Sequence, residues 1–161
     1  MSSSRTTIEG TLLNFLSALV GAPFLAKAQQ RVGEARYEDA LNALRSLGRV
    51  LGCGIASEKM PLRANIIAFQ SGYWLGDVEI MKRAASISVE QANAASSRKD
   101  GSKERYISAY LYGMCEFSAG RFAAESEFFL ALAAKAAKSR FDYRPEEVPE
   151  KLRKEMPLGA K

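Results

Sequence analysis

Along this chain, apolar residues recur at steps of three and four in a succession of separate stretches, each closed by glycine or proline. Thr6-Thr7-Ile8-Glu9 has the form of a capping box with Thr6 as N-cap. Ile8, Leu12, Phe15, Leu16 and Leu19 then share one helical face. Gly21 and Pro23 are read as the end of this first helix, 8–21. A second helical stretch from Phe24 to Ala35 leads to a turn at Ala35-Arg36-Tyr37. After the turn, Tyr37, Ala40, Leu41, Leu44, Leu47 and Leu51 form a strong amphipathic stripe that ends at Gly52-Cys53-Gly54.

The pattern then repeats in looser form. Pro61 opens a helix lined by Leu62, Ile66, Phe69 and Tyr73, with Ile67 and Trp74 beside them. Gly76-Asp77 is read as a turn with Asp77 as N-cap, followed by a helix carrying Ile80, Met81, Ala84, Ile87 and Ala92. Ser96 to Ser102 is the clearest loop. Beyond it lies the best-formed unit. Ile107, Tyr110, Leu111, Met114 and Phe117 come first, then a glycine turn at Ala119-Gly120-Arg121, then Phe122, Phe128, Phe129 and Leu132 among many alanines. Val148, Leu152 and Met156 mark a short last helix, 145–156, with acids at its start and Arg153-Lys154 near its end, as the helix dipole favours.

No alternating β segment of useful length occurs, so the expected class is all-α. The expected architecture is a single domain over 1–161 with antiparallel helical hairpins at 22–52, 61–96 and 103–139.

Composition changes this picture little. The chain has 161 residues, 47% hydrophobic and 25% charged, enough for one core without staples. The net charge of +5 is diffuse, because Arg98, Lys99, Lys103 and Arg105 alternate with Asp100 and Glu104. A phosphate-binding face needs one sign of charge, so RNA binding is a distant reading and a solvated mixed surface the nearer one.

Arg5, the apolar run Leu12–Leu25 and Ala26-Lys27-Ala28 have the outline of a secretory signal. Glu9, Asn14 and Pro23 interrupt that outline and favour a packed first helix. The run is too short and broken to span a membrane. The two cysteines, Cys53 and Cys115, have no partner at metal or redox spacing and read as small core residues in a reducing, cytoplasmic compartment. With no histidine, no phosphate loop and no metal-ligand cluster, the expectation is a non-enzyme without cofactor or metal.

The turns are similar to those of the tetratricopeptide repeat family. Ala35-Arg36-Tyr37-Glu38-Asp39-Ala40-Leu41 resembles that family's turn, aromatic, two polar residues and alanine. Tyr112-Gly113 followed by Gly120-Arg121-Phe122 resembles its small first-helix residue and its glycine turn, and Gly76-Asp77-Val78 is a looser match. The turn residue recurs at Tyr37, Val78 and Phe122, intervals of 41 and 44 residues, against a family period of about 34. Glu125 and Met81 stand where the family has a small alanine.

Such hairpins must stack to bury their faces. The resemblance implies a groove lined by the first helix of each unit. By position it nominates Gln29, then Arg63, Gln70, Tyr73 and Trp74, then Tyr110, Met114 and Phe117. The family's carboxylate-clamp set of Lys, Asn and Arg is missing.

The expected function is therefore a protein–protein interaction module or adaptor that binds a peptide or helix of a partner. The alternative is a structural subunit of a larger assembly, homo-oligomeric or mixed. Aromatic residues at helical spacing also suit plain core packing, which makes Arg63 and Gln70 the sharper discriminators.

Overall fold

A computed structural model of the protein describes residues 19–96 and 102–138, with residues 96 and 102–105 described by backbone alone. Every regular element among them is helical, and no strand occurs among the described residues. A run over 19–33 (α1) is followed by α2 (Tyr37–Leu51), α3 (Leu62–Leu75) and α4 (Val78–Ser96). Then come α5 (Ser102–Arg121), one 3₁₀ turn at Ala123–Glu125, and α6 (Ser126–Ala137). The Thr6 capping box, the first-helix positions before 19, the loop residues 97–101 and the expected helix 145–156 lie outside the described residues. No helix among the described residues is long and apolar enough to cross a membrane.

Neighbours in sequence are neighbours in space. α3 packs most extensively on α4, and α5 on α6, with α2 against α3 and α4 against both α5 and α6. Flanked in this way, α3 buries Ala64, Ile67, Ala68, Phe69, Ser71, Gly72 and Tyr73, a wider arc than a surface helix needs. At the centre, Phe69 of α3 and Phe129 of α6 stack with ring centroids 6.1 Å apart, both fully buried. Burial of each ring contributes about 1.5–3 kcal/mol, and an aromatic pair adds roughly 0.5–1.5 kcal/mol.

Glycines set how closely these helices approach. A Cβ on Gly72 would lie 2.9 Å from Met81 Cγ and 3.2 Å from the Met81 nitrogen, so the bare backbone lets α4 lie against α3. Gly21 plays the same part for α1, since a Cβ there would sit 2.7 Å from Leu47 Cδ1 of α2. That corrects the expected helix end. The helix runs unbroken through Gly21 and Pro23, and the lost side chain serves packing instead of termination.

The turns differ more than the sequence suggested. Gly76 ends α3 in the left-handed region (φ 71°), its N–H and that of Asp77 closing on the Gly72 carbonyl. Asp77 Oδ1 then accepts from the Ile80 N–H at 3.1 Å, the N-cap that was expected. Ala35 takes the same left-handed geometry without a glycine (φ 57°), and Arg36 N–H closes on the Arg31 carbonyl at 2.8 Å.

The expected glycine turn at Gly120 is not where the chain turns. α5 continues through Arg121, and the reversal falls on Phe122 and the 3₁₀ turn after it. The loop between α2 and α3 is fastened by fully buried Asn65. Its Nδ2 donates to the Ser57 carbonyl (3.0 Å) and to Gln91 Oε1 (2.9 Å), while Gln91 Nε2 donates to the Met60 carbonyl (2.8 Å).

The two turn glycines should answer substitution with opposite signs. Gly76→Ala forces a side chain into the left-handed region and should cost about 1 kcal/mol or more. Gly120→Ala adds helix propensity where a Cβ meets open space, and should gain up to about 0.5 kcal/mol. Denaturant midpoints of the two variants check both; a loss at Gly120 equal to that at Gly76 would restore Gly120 as the turn.

Candidate interaction surface

The eight nominated residues are divided by the fold. Gln29 and Arg63 are exposed, and Gln70, Trp74, Tyr110 and Phe117 are half-buried at the surface. Tyr73 is 8% exposed and Met114 only 1%, so these two serve the core and offer no contact area. Both sit on helices buried over a broad arc, which is why spacing alone placed them with their exposed neighbours.

Side-chain hydrogen bonds link α3 to α1 at one end and to α5 at the other. On α3, Arg63 Nε donates to Gln29 Oε1 of α1 at 2.8 Å. At the other end of α3, Arg121 of α5 donates from Nη1 to the Tyr73 carbonyl at 2.7 Å. Between these ties α3 presents Arg63, Ile66, Gln70 and Trp74, which share one helical face at steps of three and four. Gln70 lies between the tied arginine and the tryptophan, with amide groups suited to a partner backbone.

The turn ends carry an aromatic ladder. Tyr37 at the head of α2 stacks on Trp74 of α3 at 5.8 Å and 16°, and Trp74 meets Tyr73 edge to face at 5.5 Å. Tyr73 in turn meets Phe122 edge to face at 6.0 Å. The Arg121 guanidinium lies over both the Tyr73 ring (4.8 Å) and the Phe122 ring (5.1 Å). Its bond to a backbone carbonyl and its ring contacts together contribute about 2 kcal/mol at a partly exposed site. Tyr37 and Phe122 were visible in the sequence as recurring turn residues. Arg121 was passed over, because nothing in a lone arginine after glycine signals the rings it will meet.

The electrostatics are mild. Burial pushes the Tyr37 phenol above its usual range. The Glu34 carboxyl, accepting from Gln30 and Arg31, is held below the usual carboxylate range at the protein surface. Desolvation pushes the buried Cys115 thiol up to about 12, whereas Cys53 is half-buried, and both are free thiols. A shallow depression of 430 Å³ between α5 and α6 is lined by Glu116, Phe117, Ala119, Gly120, Ser126 and Leu130. Among the described residues, no three His, Cys, Asp or Glu side chains gather in a metal-binding group.

Comparison with protein-family models, with curated proteins and with solved structures returns no match.

Two measurements test this geometry. Because the folded phenol of Tyr37 ionises above its unfolded value, its contribution to stability is complete below the usual tyrosine range and is lost as pH rises through the raised value. Phenolate absorbance should show Tyr37 ionising late, in step with a change in the fluorescence of stacked Trp74, and Trp74→Phe should remove that linkage. For the cysteines, a thiol reagent at mildly alkaline pH should modify Cys53 in the folded protein and Cys115 only on unfolding. Two equally fast thiols would contradict the burial of Cys115.

Proposed function

We propose that the protein is a non-catalytic interaction module that binds a peptide or helix of another protein across α1, α3 and α5. The observation that carries this reading is the row of exposed and half-exposed side chains those helices share: Gln29, Arg63, Gln70, Trp74, Tyr110 and Phe117. Arginine and large aromatics are the usual anchors of binding hot spots, and polar groups at such a face orient a backbone. The ties at Gln29–Arg63 and Tyr73–Arg121 hold the row in place before a partner arrives, which lowers the ordering cost of binding.

The architecture that suits this role is three stacked tetratricopeptide-like hairpins, α1–α2, α3–α4 and α5–α6. Gly72 against Met81 reproduces the close first-to-second-helix approach with the small residue on one side only. A helix-in-groove or extended-peptide partner would then read residues along α3 at one-turn spacing.

The second reading, a structural subunit of a larger assembly, is favoured by Leu19, Val20 and Leu75, each about half exposed at 55%, 55% and 44%. RNA binding through Arg98, Lys99, Lys103 and Arg105 rests on side chains outside the described residues.

The discriminating experiment compares wild type, Gln70→Ala/Trp74→Ala and the control Glu79→Ala, an exposed change on α4. Loss of a hot spot of about 2 kcal/mol or more should weaken partner binding by over about tenfold in the double variant and leave the control unchanged. Matched thermal melts exclude unfolding as the cause. Equal binding by all three would sink the proposed face. Sedimentation of the wild type as a stable oligomer through its apolar patches would favour the assembly subunit.

A further inference from the structure

The outer face of α6 is ordered by charge. Glu127, Leu130, Ala131, Ala134, Lys135 and the C-cap Lys138 are its exposed residues, and steps of three and one put them on a single stripe. An acid stands at the first turn, apolar and small side chains in the middle, and bases at the end. Leu130 is 50% exposed and lines the shallow depression beside α5 together with half-buried Phe117. Among the described residues, no ion pair engages Glu127, Lys135 or Lys138. Read in reverse, this stripe is its own complement. We infer that a second copy of the chain docks here, its α6 running antiparallel to the first across a twofold axis near Ala131.

Symmetry and spacing agree. A twofold contact that sets one residue against another also sets the second against the first. Glu127 and Lys135 lie four residues to either side of Ala131, so each Glu127 faces the partner's Lys135. Leu130 falls between the partner's Ala131 and the partner's Ala134. Such small side chains let two helices approach to the short end of their usual spacing, about 8–10 Å. The depression beside Leu130 takes the apolar stem of the partner's Lys135, with Glu116 on its rim as a second acid.

Charge selects the direction. A parallel pairing sets Glu127 against the partner's Glu127 and Lys135 against the partner's Lys135, and like charges oppose it. One short helix from each copy buries less than about 1,200 Å², the low end of specific interfaces. The dimer is therefore weak and forms with rising concentration. The proposal does not rest on the partner-binding face of α3, and only Phe117 belongs to both.

Sedimentation equilibrium of the full chain tests it. Wild type should pass from monomer to dimer by about 1 mM, and a monomer throughout overturns the proposal. Glu127→Lys and Lys135→Glu should each weaken self-association at least about tenfold, because like charges then face across the axis. Mixed in equal amounts, these two variants should form a heterodimer of wild-type strength, since every lysine again meets a glutamate. A misfolded variant could not give that rescue, and a mixture that fails to pair overturns the antiparallel contact. Leu130→Glu should also dissociate the dimer, whereas Leu75→Glu and Gln70→Ala/Trp74→Ala should dimerise as wild type does. The last variant keeps loss of partner binding separate from loss of the dimer. Dissociation by Leu75→Glu and not by Leu130→Glu would place the interface on another apolar patch and overturn the proposal.

Discussion

Arg121 fastens the turn end of this protein. Its guanidinium spans the Tyr73 and Phe122 rings and donates to the Tyr73 carbonyl at the last turn of α3. A carbonyl near a helix C-terminus has no partner within the helix and carries partial negative charge. A guanidinium satisfies it while stacking on the adjacent rings, which an ammonium does less well. Through Tyr73 the contact reaches Trp74 and then Tyr37, so one side chain of α5 links three successive turns.

Close approach elsewhere depends on absent side chains. Gly72 lets Met81 fill the space between α3 and α4, and Gly21 admits Leu47 between α1 and α2. Helices this near bury small residues across a wide arc, with Ala64, Ala68, Ser71, Ala84, Ala85 and Ser88 at or near zero exposure. Dispersion gains over such faces are individually tiny and collectively large. The same closeness leaves little room for a ligand inside the core.

Much of the candidate face was legible because residue type and helical step are local properties. Arg63, Gln70 and Trp74 follow one another at steps that put them on one side of α3. Tyr73, one residue from Trp74, points into the core, and Met114 does the same on α5. Spacing cannot make that distinction on a helix packed on two sides, because apolar residues then occupy most of its circumference. The Arg63–Gln29 tie and the Asn65–Gln91 fastening of the loop were equally out of reach. Each joins residues that become neighbours only when separate helices meet.

The chain alone determined that the described elements are helices, that α2 buries its apolar stripe of Ala40, Leu41, Leu44 and Leu47, and that Asp77 starts α4. These follow from periodicity, glycine punctuation and the hydrogen-bonding reach of a short carboxylate. Tertiary structure decided where the chain turns and which nominated residues reach solvent. Gly120 has the local freedom to turn, yet α5 runs on for one more residue, because Arg121 and Phe122 find their partners on α3. Gly21 and Pro23 read as a stop, yet the helix passes through them, and a Cβ on Gly21 would lie 2.7 Å from Leu47 Cδ1 of the next helix, so the leucine would have to shift. Local propensity sets what a residue permits; the packed neighbour sets which of those permissions is used.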